Sequence, residues 1–205
     1  SVVGVLIGTI SAFKQYTITD KIITFTVLTG ISLPSFFLGM MMILLFAVNL
    51  QWLPVSGMYA IYGGGDFLDL IHHLIMPAIA LALVATGVVA RITRNSVLEI
   101  LRQDYIRTAR AKGVREGNVL FKHVLRIAIV TILPILGLQA GFVLSGSVFI
   151  EIVFQWPGVG RMLVDAILKR DILLVQGGVM FVAACYVLFN IAVDLLQRYL
   201  DPRIK

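Results

Sequence analysis

A few side chains in this 205-residue chain have the chemistry to bind a metal or attack a bond, but their spacing supports neither. His72 and His73 are adjacent, and adjacent residues of a helix point about 100° apart, so they make a poor pair of zinc ligands. Ser145 lacks the preceding glycine of a G-x-S-G protease turn, and no G-x-x-x-x-G-K-[ST] phosphate loop occurs. We therefore expect no metal site, no cofactor and no covalent catalysis in this chain.

Composition places the chain in a membrane. Apolar residues make up 59% of it and charged residues 14%, and its mean hydropathy is +0.97. The charges are clustered: none falls between Ile22 and Gly65, whereas about 20 apolar residues are enough for a helix to cross a bilayer. We expect an all-α, polytopic helical membrane protein that forms one domain over residues 1–205. Its spans are predicted at about 1–13 (partial), 27–48, 71–90, 127–150 and 172–193.

The beginning of the chain is unusual for a membrane protein. Residues 1–13 are apolar but too short to span a bilayer, and neither a starting methionine nor a basic signal-peptide region precedes them. We interpret them as the second half of a helix whose beginning is missing. The sequence is therefore expected to be N-terminally truncated, with at least one further helix upstream.

The basic residues orient the predicted spans. Alternate crossing puts Lys14–Lys21, Arg91–Arg126 and the C-terminal tail on one side, which then holds 14 of the 17 lysines and arginines. The positive-inside rule makes that side cytoplasmic, so we expect a multi-pass protein with a cytoplasmic C-terminus. Because membrane proteins concentrate basic charge there in any case, we expect no nucleic-acid partner.

The loop over residues 91–126 is unusually long for a compact helical bundle. Asn95 is predicted to cap a first helix, and a second short helix is predicted from about Tyr105 to Lys112, ended by Gly113. Small residues such as Thr108 and Ala109 keep the surface of this second helix low, so that a partner could reach its backbone. From the spacing alone, a docking element and a solvated amphipathic linker fit equally well.

Several blocks of residues resemble one family. The segment Tyr105–Gly113 resembles the E-A-A-x-x-x-G loop of binding-protein-dependent ABC importer permeases, and it is similar to their dipeptide, oligopeptide and nickel branch. Arg107 stands where the general motif has glutamate. Ile127 and Thr131 stand where the branch has asparagine and proline, and Pro134 follows about one turn later. Four further blocks are similar to the branch in order: Leu33-Pro34-Ser35-Phe36, Trp52-Leu53-Pro54-x-Ser56-Gly57, Glu151-x-x-Phe154-x-Trp156-Pro157-Gly158-x-Gly160-Arg161, and Asn190-x-x-x-Asp194-Leu195 followed by Asp201-Pro202-Arg203.

The resemblance implies the fold of a type I ABC importer transmembrane domain (MetI-like) in a bacterial or archaeal plasma (inner) membrane. It implies three kinds of partner besides the lipid bilayer: a homologous second permease, two ATPase subunits that hold ATP and Mg, and an extracytoplasmic binding protein. The cargo would be a peptide, glutathione or a nickel complex. The short loop helix would be the ATPase-coupling element, formed by Tyr105, Arg107, Thr108, Ala109, Arg110, Ala111, Lys112 and Gly113.

Two alternatives stay open at this stage. The outer block with Glu151, Phe154, Trp156, Pro157 and Gly158 fits an outer gate or a binding-protein contact, and equally an interfacial hairpin that caps the bundle. The chain as a whole also fits a secondary transporter or channel without an ATPase. Such a protein usually has ionisable residues or broken helices inside the membrane, and the predicted spans do not clearly show either.

Overall fold

The computed structural model describes residues 1–200, and the regular structure in that range is helical. The predicted Asp201-Pro202-Arg203 block lies outside the described residues. Ile43–Asn49 continues the helix Ser35–Met42 as a π-helix. Val119–Val124 joins Glu116–Asn118 to Leu125–Val153 in the same way. The helices are α1 (Val2–Phe13), α2 (Ile18–Ser32), α3 (Ser35–Met42), α4 (Phe67–Leu101), α5 (Asp104–Ala111), α6 (Glu116–Asn118), α7 (Leu125–Val153), α8 (Val159–Leu168) and α9 (Ile172–Leu200).

The described helices include three that are long and apolar enough to cross a bilayer: α4, the continuous stretch Glu116–Val153, and α9. At about 1.5 Å per residue, α4 is roughly 50 Å long, which exceeds the ~30 Å hydrocarbon core of a bilayer. One end of α4 therefore extends beyond the apolar layer. Pro134 does not interrupt α7.

The segment expected to be one span over 27–48 is different in the structure. It is made of α2 and α3, which meet at an angle of 103°. Pro34 has an extended backbone, with φ −61° and ψ 140°, and it carries no N–H that could continue a helix. Its ring also disfavours helical geometry at Leu33. The helix is interrupted at Pro34 for this reason, and the span over 27–48 stays a prediction.

The loop expected over residues 91–126 is partly helical in the structure. Residues 91–101 belong to α4, and the helical stretch that leads into α7 begins at Glu116. The connection between them, which contains α5, therefore covers residues 102–115 rather than 91–126. Asn95 lies inside α4 and caps nothing, because the apolar pattern of Val97 and Ile100 continues the buried stripe of that helix. The short helix inside the connection begins and ends within one residue of its predicted bounds.

The described chain divides into two compact units. Unit 1 contains residues 1–31, 85–139 and the segment from Phe189 onward. Here α1 packs on α4 through Gly4 and Gly8, where an added Cβ would meet Thr86 O at 2.9 Å and would collide with Ala90 O, respectively. The buried Ala12 continues this small face by another turn. Small residues at a four-residue spacing let two helix backbones approach closely, which is the usual packing device inside membranes.

Unit 2 contains residues 32–84 and 140–188. Its core is a cluster of Met76, Ala80, Ile150 and Phe154. Phe154 lies against α3 at Gly39, where an added Cβ would come within 3.0 Å of the aromatic ring. This glycine therefore supplies the space that the ring fills.

Glycines at four-residue spacing on α7 also bring α9 close. In unit 1 an added Cβ at Gly137 would lie 2.6 Å from Asn190 Oδ1, and in unit 2 one at Gly141 would lie 2.9 Å from the ring of Tyr186. Small residues at this spacing let the two helices approach closely.

Candidate functional site

The short helix α5 is bounded at both ends by specific backbone geometry. Gln103 precedes it in an extended conformation, with φ −75° and ψ 147°. At the other end Gly113 has φ +76°, which a glycine adopts at little cost. Val114 N–H donates to Ala109 O at 3.2 Å and Gly113 N–H donates to Arg110 O at 2.9 Å. These two bonds form a Schellman cap, so the helix ends where the sequence predicts.

One side chain anchors α5 to unit 1. Ile106 is fully buried, in a cluster that also contains Val97 and Ile100 of α4 and Val119 and Val124 of the following helical segment. Burying an isoleucine contributes roughly 1.5–3 kcal/mol. The predicted site contained the neighbours of Ile106 and omitted Ile106 itself. One signal in the sequence could have identified Ile106: it is the single large aliphatic residue of an otherwise small and polar helix.

The remainder of α5 faces outward. Tyr105 is 39% exposed, and Ala109 is half-buried. Burial raises the pKa of the Tyr105 phenol above its usual value, so the hydroxyl is neutral at physiological pH. The other predicted coupling residues are exposed: Arg107, Thr108, Arg110, Ala111, Lys112 and Gly113.

An exposed ion pair joins α5 to the start of α6. Arg110 Nε lies 2.8 Å from Glu116 Oε1, and its Nη2 lies 3.1 Å from Oε2. Both side chains are open to solvent, with 41% and 61% exposure. Such a pair contributes about 0–1 kcal/mol. It orients the turn after α5, and Ile106 provides most of the anchoring.

A buried polar cluster lies in the same unit, and sequence reasoning missed it. Arg94 of α4 donates to both oxygens of Asp20 in α2, at 2.9 Å each. Ser11 of α1 donates to Asp20 Oδ1 at 2.5 Å, and the backbone N–H of Tyr16 donates to Oδ2 at 3.1 Å. Asp20 is only 4% exposed. We call Ser11, Asp20 and Arg94 the polar node.

The polar node connects three helices that are far apart in sequence. A planar guanidinium matches a carboxylate in two parallel bonds, which fixes direction as well as distance. Arg94 Nε also donates to Ser11 Oγ at 3.1 Å, so all three side chains contact one another. The signal in the sequence was an acidic residue between Lys14 and Lys21, in the first turn of an apolar helix. Its partner Arg94 lies 74 positions further along the chain, and no local sequence pattern indicates the pairing.

In unit 2, Glu151 acts as a cap for a neighbouring helix. The backbone N–H of Arg161, in the first turn of α8, donates to Glu151 Oε2 at 2.9 Å. Gly160 leaves room for the carboxylate, because an added Cβ there would lie 3.0 Å from Oε2. A carboxylate at this end of a helix compensates free N–H groups and the helix dipole.

The outer block follows α7 as a tight turn. Trp156 N–H donates to Glu151 O at 2.8 Å, and Gln155 has φ +50°. Gly158 N–H then donates to Trp156 O at 2.9 Å before α8 begins. Pro157 is exposed at this turn, whereas Trp156 and Gly158 are partly buried.

Phe154 of the outer block is buried. It is 2% exposed and belongs to the core of unit 2. Its backbone carbonyl accepts a hydrogen bond from Gly57 N–H at 2.8 Å. The aromatic ring is buried because Gly39 opposite it leaves a space of matching size, and a ring buried in this way is not available to a binding protein.

A cavity of about 550 Å³ lies beside Glu151 within unit 2. Its volume is within the range of small-molecule sites, about 300–1,000 Å³. Its polar wall includes Ser145, Ser147, Glu151 and Tyr186, and the rest is mainly apolar. The two histidines of this unit stand apart from it: His72 Nε2 donates to Trp52 O at 3.1 Å, and His73 Nδ1 lies 3.1 Å from Asp69 Oδ1.

Comparison with known proteins decides the family. The model of a family described as binding-protein-dependent transport system inner membrane component matches residues 4–205. This chain belongs to that family.

Three relatives of this family member are transport system permease proteins. The chain is 42% identical over 220 residues to the di/tripeptide transport system permease protein of Pseudomonas aeruginosa, covering 98% of this chain and 66% of that one. It is 41% identical over 224 residues to the dipeptide transport system permease protein of Escherichia coli K12, covering 99% and 66%. It is 39% identical over 203 residues to the oligopeptide transport system permease protein of Bacillus subtilis, covering 99% and 64%. The chain thus spans about two thirds of the length of these relatives.

A solved structure shows the same fold. The inward-facing MetNI methionine ABC transporter has a chain that superposes with a TM-score of 0.76, covering 98% of this chain and 87% of that one. The sequence identity is 17%, so the likeness concerns the fold alone. The expected MetI-like architecture of this family member is confirmed.

The polar node generates a prediction about stability. We expect Asp20→Asn to destabilise the protein by about 3 kcal/mol, because it leaves Arg94 without a charged partner in a largely buried position. The value is at the low end for a broken buried pair because the Arg94 side chain keeps 24% exposure. The measurement is thermal unfolding of the purified protein in detergent. Asp104→Asn is the matched control, since that carboxylate is 97% exposed, and it should leave the transition unchanged. Equal unfolding temperatures of Asp20→Asn and Asp104→Asn would contradict the stabilising role of the polar node.

The capping role of Glu151 generates a second prediction. We expect Glu151→Ala to increase amide hydrogen exchange in the first turn of α8 about fivefold, the effect of losing a cap worth ~1 kcal/mol. Glu151→Gln keeps an oxygen acceptor and should preserve most of the protection. Exchange measured by mass spectrometry on peptides covering residues 159–168 provides the readout. Unchanged exchange in Glu151→Ala would remove the capping role.

Proposed function

We propose that this chain is a membrane-spanning subunit of an ATP-driven importer for peptides or a related small solute, and that separate ATPase subunits act on it through α5. The observation that carries the proposal is the form of α5. It is a short helix anchored by one buried residue, Ile106, with its other faces open to a partner. The names of the relatives, which are permeases for dipeptides and oligopeptides, support the class of cargo.

The basic residues give the orientation that this function requires. The connection that contains α5 carries five lysines and arginines: Arg102, Arg107, Arg110, Lys112 and Arg115. Loops of this kind stay on the cytoplasmic side, where ATP is found. The C-terminal end of α9 is then cytoplasmic as well, and the turn around Trp156 faces outward. The membrane is the plasma (inner) membrane of a bacterium or archaeon.

The contacts of α5 provide a route for a mechanical signal. Two residues, Arg102 and Gln103, separate α5 from the end of α4, and Ile106 packs on Val97 and Ile100 of that helix. A displacement of α5 therefore displaces the end of α4. Arg94 lies about one turn before Val97 in α4, and it transmits this displacement to α2 through Asp20 and to α1 through Ser11. The ATPases can drive this motion only if they bind α5 differently in their two states.

The rest of the machinery belongs to other chains. A homologous second permease would complete the passage, two ATPase subunits would hold ATP and Mg, and an extracytoplasmic binding protein would deliver cargo. Residues 127–150 of α7 and 172–193 of α9 carry no charge. Tight ionic recognition of cargo at mid-membrane is therefore not expected of this chain, and specificity rests mainly on the binding protein.

Charge introduced on α5 tests the contact with the ATPase. We expect Ala109→Glu to weaken ATPase binding at least about tenfold, because a carboxylate desolvated in a docking interface costs more than ~1.4 kcal/mol. Ala111→Glu should act in the same way and has an exposed position, so it controls for misfolding caused by the half-buried Ala109. The readouts are recovery of ATPase with the tagged chain and ATP-driven peptide uptake into vesicles.

Gln103→Glu is the matched control for charge. It adds the same negative charge to the same connection, but at the exposed residue that precedes α5. It should leave binding and uptake near wild type. Normal uptake by both Ala109→Glu and Ala111→Glu would contradict the proposed contact. Peptide uptake that needs a membrane potential or an ion gradient, with no ATPase recovered alongside the wild-type chain, would instead establish a secondary transporter.

A further inference from the structure

A second, smaller cavity lies in unit 1 between α1, α2 and α4, next to the polar node. Its volume is about 230 Å³. This is below the range of ~300–1,000 Å³ that whole small molecules occupy, so the cavity can take only part of a larger ligand. Its polar lining includes Thr24, Arg91, Arg94 and Asn95, and its apolar lining includes Ile23 and Val27.

The polar lining has an excess of positive charge. Arg94 uses Nε and Nη2 on Asp20 and Ser11, and no partner for its Nη1 is recorded within residues 1–200. In the same range, Arg91 has no recorded hydrogen bond or ion pair, and it is exposed. Asp20 neutralises one of the two arginines. The cavity therefore presents one uncompensated cation beside an arginine whose plane is already fixed.

The position of Arg91 along α4 indicates its depth. It is the first charged residue after the uncharged stretch 70–90, so it lies where the apolar layer ends and the headgroups of the leaflet beside the basic loop begin. Arginines at this level pair with lipid phosphates. Ile23 and Val27 add apolar lining to the same cavity, which suits the start of an acyl chain and does not suit a fully hydrated ion.

We propose that this cavity binds the headgroup of an anionic phospholipid from the leaflet on the side of the basic loop. Arg91 and Nη1 of Arg94 donate hydrogen bonds to its phosphate, and Ile23 and Val27 contact the adjoining chain. The polar node contributes by holding Arg94 in place before the lipid arrives. Preorganised donors bind more tightly because less side-chain freedom is lost on binding.

Native mass spectrometry of the intact transport complex tests the proposal. The complex is released from nanodiscs that contain phosphatidylglycerol and phosphatidylcholine, and the lipids that remain bound are counted. Arg91→Ala should retain phosphatidylglycerol about fivefold more weakly than wild type, the ratio that corresponds to ~1 kcal/mol per arginine. Arg126→Ala is the matched control: it removes the same charge from an exposed residue outside the cavity and should behave as wild type.

A second variant separates loss of the site from general loss of charge. Val27→Trp keeps both arginines and fills space at the apolar lining of the cavity, so it should also lower retention of phosphatidylglycerol. Equal retention of phosphatidylglycerol by wild type, Arg91→Ala and Val27→Trp would overturn the proposal. Wild type that retains phosphatidylcholine as strongly as phosphatidylglycerol would overturn it as well. Displacement of the lipid by millimolar inorganic phosphate would overturn the assignment to a lipid, because it would identify a site for the free anion.

Discussion

The carboxylate of Asp20 is the constraint on which the rest of unit 1 depends. A charged group taken out of water loses several kcal/mol of hydration, and at 4% exposure Asp20 loses nearly all of it. Two bonds from Arg94, one from Ser11 and one from the Tyr16 backbone compensate for this loss. These donors come together only when α1, α2 and α4 are correctly placed. The cost of burying one charge thereby selects one arrangement of three helices.

The short helix α5 is held by a different kind of interaction. Burial of Ile106 contributes roughly 1.5–3 kcal/mol, whereas the exposed pair between Arg110 and Glu116 contributes at most about 1 kcal/mol. The position of α5 is therefore determined mainly by one apolar contact on its buried face, and most of its other residues are exposed. Because Ile106 packs on Val97 and Ile100 of α4, three and six residues from Arg94, this apolar contact and the polar node act on the same end of the same helix.

The parts of the fold that sequence could predict are those controlled by local rules. The bounds of α5 and its end at Gly113 follow from helix-capping chemistry, and the close approach of α9 to α7 follows from the spacing of Gly137 and Gly141. The bend at Pro34 was signalled by its residue type, but a proline inside an apolar run is compatible with both a mild kink and a break. The pairing of Asp20 with Arg94 and the burial of Phe154 against Gly39 depend on tertiary contacts, which no local pattern encodes.

The two arginines at the end of α4 show how one residue type serves two purposes. Arg91 and Arg94 are three positions apart and therefore lie on neighbouring parts of the helix surface, and both line the same cavity. Unit 1 supplies one buried carboxylate there, and Arg94 takes both of its oxygens. The positive charge of Arg91 is left at the boundary of the apolar layer, where water is scarce and anionic headgroups are abundant. An anion from the membrane satisfies that charge without a second buried carboxylate, which would add another desolvation cost to the fold.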